Sequence, residues 1–258
     1  MNATGQVVIA PPIVFISSQV PFGTFNVSNV STIPQEVDIS FEFGYPRSDS
    51  LARISIDFSD SVAAGKYSCA SWLSGFPTKF ILNPGQEQVV HMSVDAPDSL
   101  ADGAYWSRLI TVSQPQQKFV DTVKQGITTN IIFMFRQITS VIFEKGSLET
   151  GLNLANLYSS EDSASMNVYA ELERTGNAPF FGTASVKVSD QDGNEVYSNA
   201  ALTAVYLNLV KEFSIPLSKL HKGKYSAVVT VTSDREDIPP EQQLKIAPIS
   251  RTLSFNVK

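Results

Sequence analysis

Residues 76–94 read FPTKFILNPGQEQVVHMSV. Apolar and polar residues alternate on both sides of Asn83-Pro84-Gly85-Gln86. Phe80 and Leu82 come before the break; Val89 or Val90, Met92 and Val94 come after it. A period of two puts one set of side chains on one face of a sheet, so each run is a half-buried strand. Pro-Gly interrupts both and supplies the turn. The same pattern recurs in both directions. EVDISFEF (residues 36–43) sets Val37, Ile39, Phe41 and Phe43 against Glu36, Asp38, Ser40 and Glu42, and ARISIDFS and AYWSRLITVS follow suit. GQVVIAPPIVFIS is broken by Pro11-Pro12. Proline cannot donate to a ladder, so an edge strand that stops or changes sheets is expected there.

Strand signals return every ten to fifteen residues or so, the spacing of β-sandwiches. Residues 114–125, QPQQKFVDTVKQ, read as a polar loop. GITTNIIFMFRQITSVIFEKG is rich in β-branched residues, which disfavour helix. It reads as two strands, one to about Phe135 and one from about Ile138, with a domain boundary at Arg136–Gln137. The second half continues with SASMNVYAELERTG, GTASVKVSDQDGNEVYS, GKYSAVVTVTSD and PISRTLSFNVK; Asp-Gly in DQDGNE is a hairpin signal. One short helical turn is expected, at SKLHKG. The fold class is therefore all-β: two immunoglobulin-like β-sandwich domains in tandem, 1–136 and 137–258.

Composition agrees. The chain has 258 residues, enough for two domains of ordinary size. Charged residues are only 17%, and Phe, at 16, is frequent. The net charge is −6 with no Lys/Arg cluster, which argues against a nucleic-acid partner. No run of 18 apolar residues occurs, so no membrane span is expected. Met1–Gly5 lacks a basic start and an apolar stretch. The expectation is a periplasmic or secreted protein whose signal peptide has been removed.

No chemistry of catalysis assembles. His91 and His221 stand far apart, and the single Cys69 is expected as a small buried side chain. Zinc ligands come in close pairs, so no metal is expected. Asp190, Asp192, Asn194 and Glu195 could hold calcium, but the spacing fails the twelve-residue loop and a plain hairpin is expected. No Gly-x-Ser-x-Gly turn or phosphate cradle occurs. Neither an enzyme nor a cofactor is expected.

FILNPGQEQVVHMSV, DGAYWSRLITVSQP and GITTNIIFMFRQ, in that order, resemble the first domain of the periplasmic pilus-assembly chaperones, the PapD-like superfamily. APPIVFIS with FNVSNVS is similar to its opening strands, and TGNAPFFGTASVKVSDQDGNEV to a stretch of its second domain. The resemblance implies a chaperone-like protein whose partner, a pilin-like or surface subunit, adds a strand at an exposed edge of domain one. Val123, Ile127 and Thr129 are the partner-binding residues it implies. It also implies that Asp102 and Arg136 lie at the domain junction, and that the acids of SDREDIPPE, Asp234, Glu236 or Asp237, meet Arg136. Family members anchor the partner's carboxylate with two cations. The aligned positions here are Pro12 and Ile132, which mark a divergent member, with Lys124 and Arg136 as the nearest substitutes. The rival class is a structural immunoglobulin-like module of a surface appendage.

Overall fold

The computed structural model describes residues 7–116 and 133–257. They form two compact units. The first comprises Met1–Gly44, Asp60–Ala101 and Tyr105–Lys145; the second comprises Tyr45–Ser59, Asp102–Ala104 and Gly146–Lys258. No helix among the described residues is long and apolar enough to cross a membrane.

The chain begins with β1 (Val7–Ala10), β2 (Ile13–Ser17), β3 (Phe22–Asn29) and β4 (Gln35–Glu42). A ribbon of β5 (Tyr45–Ser48) and β6 (Ile54–Asp57) follows and belongs to the second unit. The first unit resumes with α1 (Ser61–Tyr67), β7 (Leu73–Phe76), β8 (Lys79–Leu82), β9 (Glu87–Val94), β10 (Gly103–Pro115) and β11 (Phe135–Lys145). Its two sheets have the orders β1-β3-β9-β7 and β2-β11-β10-β4-β8. Between them lie Phe25, Val27, Val37, Ile39, Leu109 and Phe143, all buried. Each such side chain contributes about 1.5–3 kcal/mol by leaving water.

Pro11-Pro12 is where the opening strand changes sheets. β1 pairs antiparallel with β3, and β2 pairs parallel with β11 in the other sheet. The Pro-Gly stretch has a related role. β8 pairs with β4, whereas β9 pairs with β3 and β7. The turn therefore carries the chain from one sheet to the other and closes no hairpin. Gly85 takes φ +74°, a conformation natural to glycine. Its N–H donates to Asn29 O at 2.9 Å, and the buried Asn29 Nδ2 donates to Leu82 O and Ile33 O at 2.9 Å each. Val90 faces the core and Val89 the solvent.

Three features differ from the expected strands or add to them. β11 begins at Phe135, near the strand expected from about Ile138, and crosses Arg136–Gln137, while the strand expected before it falls largely outside the described residues. Helix α1, capped by Asp60 accepting from Ala63 N at 2.9 Å, was not foreseen, because Gly65 and the lack of acids in its first turn leave little helical signal. ARISIDFS forms a strand, but its Ile54–Asp57 pairs with Tyr45–Ser48 in the second unit.

The second unit continues with β12 (Thr150–Glu161), β13 (Ser165–Gly176), β14 (Phe180–Asp190), β15 (Glu195–Val205), β16 (Asn208–Pro216), β17 (Gly223–Thr232) and β18 (Ile249–Val257). The sheets are β12-β13-β16 and β15-β14-β17-β18, with Leu154, Val168, Leu172, Phe180, Phe213 and Val229 buried in the core. The expected Asp-Gly hairpin joins β14 and β15, with Gly193 at φ +84°. Leu217–Lys219 makes one turn of 3₁₀ helix at the start of SKLHKG. The architecture is all-β, two immunoglobulin-like sandwiches in tandem.

Candidate partner-binding edge

Val123, Ile127 and Thr129, with Lys124 and Ile132, lie outside the described residues. The chain that follows them does not. Phe133 and Met134 are 65% and 64% exposed, and Ile138 on β11 is 40% exposed. Met134 helps line a groove of about 560 Å³ together with Glu36, Asp38, Lys79, Ile81 and Val112. Strand register builds this groove. Across β4 and β10, Asp38 faces Val112 and Glu36 faces Gln114, whose Nε2 donates to Glu36 Oε2 at 3.2 Å. Across β4 and β8, Lys79 opposes Asp38 and Ile81 opposes Glu36. Phe80 and Leu82 turn toward the core; Lys79 and Ile81 turn outward. Lys79 Nζ lies 2.8 Å from Asp38, whose hydrogen bond pushes the lysine pKa up.

Among the described residues β8 ends its sheet in the strand order, so its far side is a ladder edge there. Such an edge offers backbone N–H and C=O groups to an extended partner, and the alternate side chains beside it supply selectivity. The side chains beside it are both charged, Glu36, Asp38 and Lys79, and apolar, Ile81, Val112 and Met134.

A buried cation lies on the same sheet, and sequence reasoning missed it. Arg108 is only 4% exposed; its Nε donates to Gly44 O at 2.8 Å and its Nη1 bonds Ser140 Oγ. Beside it on β10, Trp106 stacks on Tyr67 with centroids 4.6 Å apart. A lone charge inside the apolar run YWSRLITV was the available signal. Arg108 ties β10 to β11 and to the end of β4, and Glu42 is its partner across the ladder. Arg136 bonds that same Glu42 at 2.9 Å, both side chains being about half exposed. Pro12 is exposed, and its carbonyl accepts from Ser140 N at 3.5 Å.

Asp102 belongs to the second unit and Arg136 to the first. Asp102 Oδ2 accepts from Ser147 N at 3.0 Å, and Asn177 Nδ2 donates to Asp102 O at 3.2 Å. Gly146, at φ +64°, is packed against this carboxylate; a Cβ there would come within 2.0 Å of Oδ1. Two acids of SDREDIPPE have partners close by in the chain. Asp237 receives two hydrogen bonds of 2.6 Å from Arg235, which hold its carboxyl below the usual range, and Asp234 meets Lys245 at 3.2 Å.

The remaining candidates carry no reaction chemistry. Asp190 Oδ1 accepts from Asp192 N and Asn194 N at 2.9 Å, so its turn occupies the carboxylate. Burial pushes the Cys69 thiol well above its ordinary pKa, which suppresses the reactive thiolate. Among the described residues no group of three His, Cys, Asp or Glu is placed to hold a metal.

No protein-family model matches the sequence, and no curated protein does. Solved structures do. The Pseudomonas aeruginosa CupB2 chaperone is similar over 97% of this chain and 100% of its own, with 13% identity and a TM-score of 0.51. A structure of the Salmonella enterica SafA pilin in complex with the SafB chaperone matches over 96% of both chains at 14% identity and a TM-score of 0.45. The chaperone–tip adhesion subunit complex CsuC–CsuE of Acinetobacter baumannii matches over 95% of this chain and 97% of that one, at 14% and 0.47. At such identities the likeness is one of fold: the chain has the fold of the PapD-like pilus chaperones.

Proposed function

We propose that this protein is an extracytoplasmic, chaperone-like binding protein, with no catalytic role, that engages a pilin-like or surface subunit by strand addition at an edge of its first unit. The fold likeness to CupB2 over nearly the whole chain supports the class. The observation that carries the site is the exposed pair Phe133 and Met134, beside a groove whose outer wall is the sheet-ending strand β8. Exposed apolar residues gathered at one place favour contact with another protein. Val123, Ile127 and Thr129 precede that pair in the sequence and are assigned to the same contact. Pro12 offers no cation for a partner's carboxylate, so affinity rests on the edge and its apolar flank.

The test is co-expression with a candidate subunit encoded beside this gene. Wild type should purify as a complex. Ile127→Asp and Phe133→Asp should each weaken it at least tenfold, because a charge would be carried into an apolar contact without a partner. Capture undiminished by both changes would remove the edge from the reading. A protein that stays in an assembled surface structure, and is not released from its partner, would favour the structural module instead.

A further inference from the structure

The second unit has a three-stranded sheet in the order β12-β13-β16, which leaves β16 as an edge strand. The edge is not bare. Val210 N donates to Ser48 Oγ at 2.8 Å, and Ser214 O accepts from Tyr197 Oη–H at 3.1 Å. In an antiparallel ladder, every second residue turns its N–H and C=O away from its neighbour. Val210 and Ser214 are four apart and oppose Glu171 and Asn167 of β13, so both belong to the outward set. Ser48 comes from the ribbon β5–β6 and Tyr197 from β15, and all these residues lie in the second unit.

Other features of β16 agree. Leu209, Phe213 and Ile215 are buried on its core-facing side, yet Lys211, in the same alternation, is a charge. An inward charge on an edge strand discourages pairing with another chain. Pro216 ends the strand without a donor. At the opposite edge of the sheet, Arg251 Nη1 donates to Ala155 O of β12 at 3.2 Å, next to the register shift between Leu154 and Asn156. The ribbon itself is anchored by Tyr45, 2% exposed, and held by the Arg47–Asp57 pair at 3.0 Å.

We propose that the ribbon Tyr45–Asp57 guards β16 against strand addition by a second copy of this chain. It has been inserted into the first half of the sequence and folds with the second unit. It places one hydroxyl on an outward N–H of β16 without adding a strand to that ladder.

Two variants of the full chain test this. Tyr45 and Asp57 oppose each other across the ribbon, so residues 46–56 can be replaced by a short Gly-Ser linker without stretching the chain. The ribbon-less chain should dimerise at concentrations where wild type does not, as read by sedimentation equilibrium. Adding Ser214→Pro, which removes an outward donor, should return it to the wild-type mass. In Ser48→Ala the Val210 amide should exchange at least tenfold faster, with the Val186 and Val229 amides unchanged. The Ser48→Ala measurement decides the matter if the ribbon-less chain does not fold. A ribbon-less chain with the mass of wild type, a dimer that survives Ser214→Pro, or an unchanged Val210 amide would each overturn the proposal.

Discussion

In the second unit, outward backbone groups of β16 end on Ser48 and Tyr197, and Arg251 covers the far edge at Ala155. In the first unit, β8 ends its sheet among the described residues beside a groove of mixed charged and apolar lining, with Ile81 about half exposed and Met134 and Phe133 more so. An uncovered ladder with an apolar flank invites another chain, and proteins spend side chains to prevent that. On this difference rests our proposal that a partner binds the first unit, where β8 ends its sheet among the described residues.

The contrast breaks most severely in the core behind the covered edge. Phe213 on β16 is 2% exposed, and Phe213→Ala should cost about 3–5 kcal/mol in urea unfolding, through lost burial and a cavity. Ile81→Ser on β8 should change stability by no more than about 0.5 kcal/mol, as expected for a surface position, while weakening partner capture. A large stability loss at Ile81 would mean that β8 is a structural element first. Next in size is Asn29→Ala. It removes the side-chain bonds to Leu82 O, which is buried, and to Ile33 O, for an expected loss of about 1–3 kcal/mol. An unaltered denaturation midpoint would show that the Pro-Gly crossing is held by its backbone alone.

The strands were open to sequence reading, the contrast between their edges was not, and the reasons are physical. Period-two alternation identifies strands and their buried faces, so the sequence places Val37 and Ile39 on a core face, where both are buried. Pro11-Pro12 marked the sheet change because proline's missing donor acts locally. Alternation does not name a strand's neighbour. FPTKFILNPGQEQVVHMSV thus yielded two strands without revealing that they lie in different sheets. The ribbon was equally hidden, because Ser48 and Val210 meet across 162 positions. Arg108 was passed over since burial of a charge depends on Gly44 and Ser140, which no local pattern brings together. The partner-binding residues Val123, Ile127 and Thr129 remain a proposal carried by resemblance and by the apolar chain that follows them.

Two smaller effects sharpen the picture. Arg235 holds the folded-state pKa of Asp237 below its ordinary 3.8. A depressed carboxyl stabilises the fold fully above that ordinary value and loses its contribution as pH falls through the lower folded one. Acid titration of stability below about pH 4 should therefore be shallower in Asp237→Asn than in wild type; identical slopes would deny the pair a role. Arg136→Ala is also a small effect. Its pair with Glu42 is about half exposed, so the expected loss is under about 1 kcal/mol in thermal unfolding.

The most direct measurement is an amide-exchange footprint of the chain, alone and with a co-purified partner subunit. New protection should appear in Lys79–Leu82 and in residues 133–138, with the amides of Asn208–Pro216 and Thr150–Glu161 unchanged. Protection gained on β16 or β12, with β8 and the start of β11 exchanging as before, would place the partner on the covered unit and contradict the account.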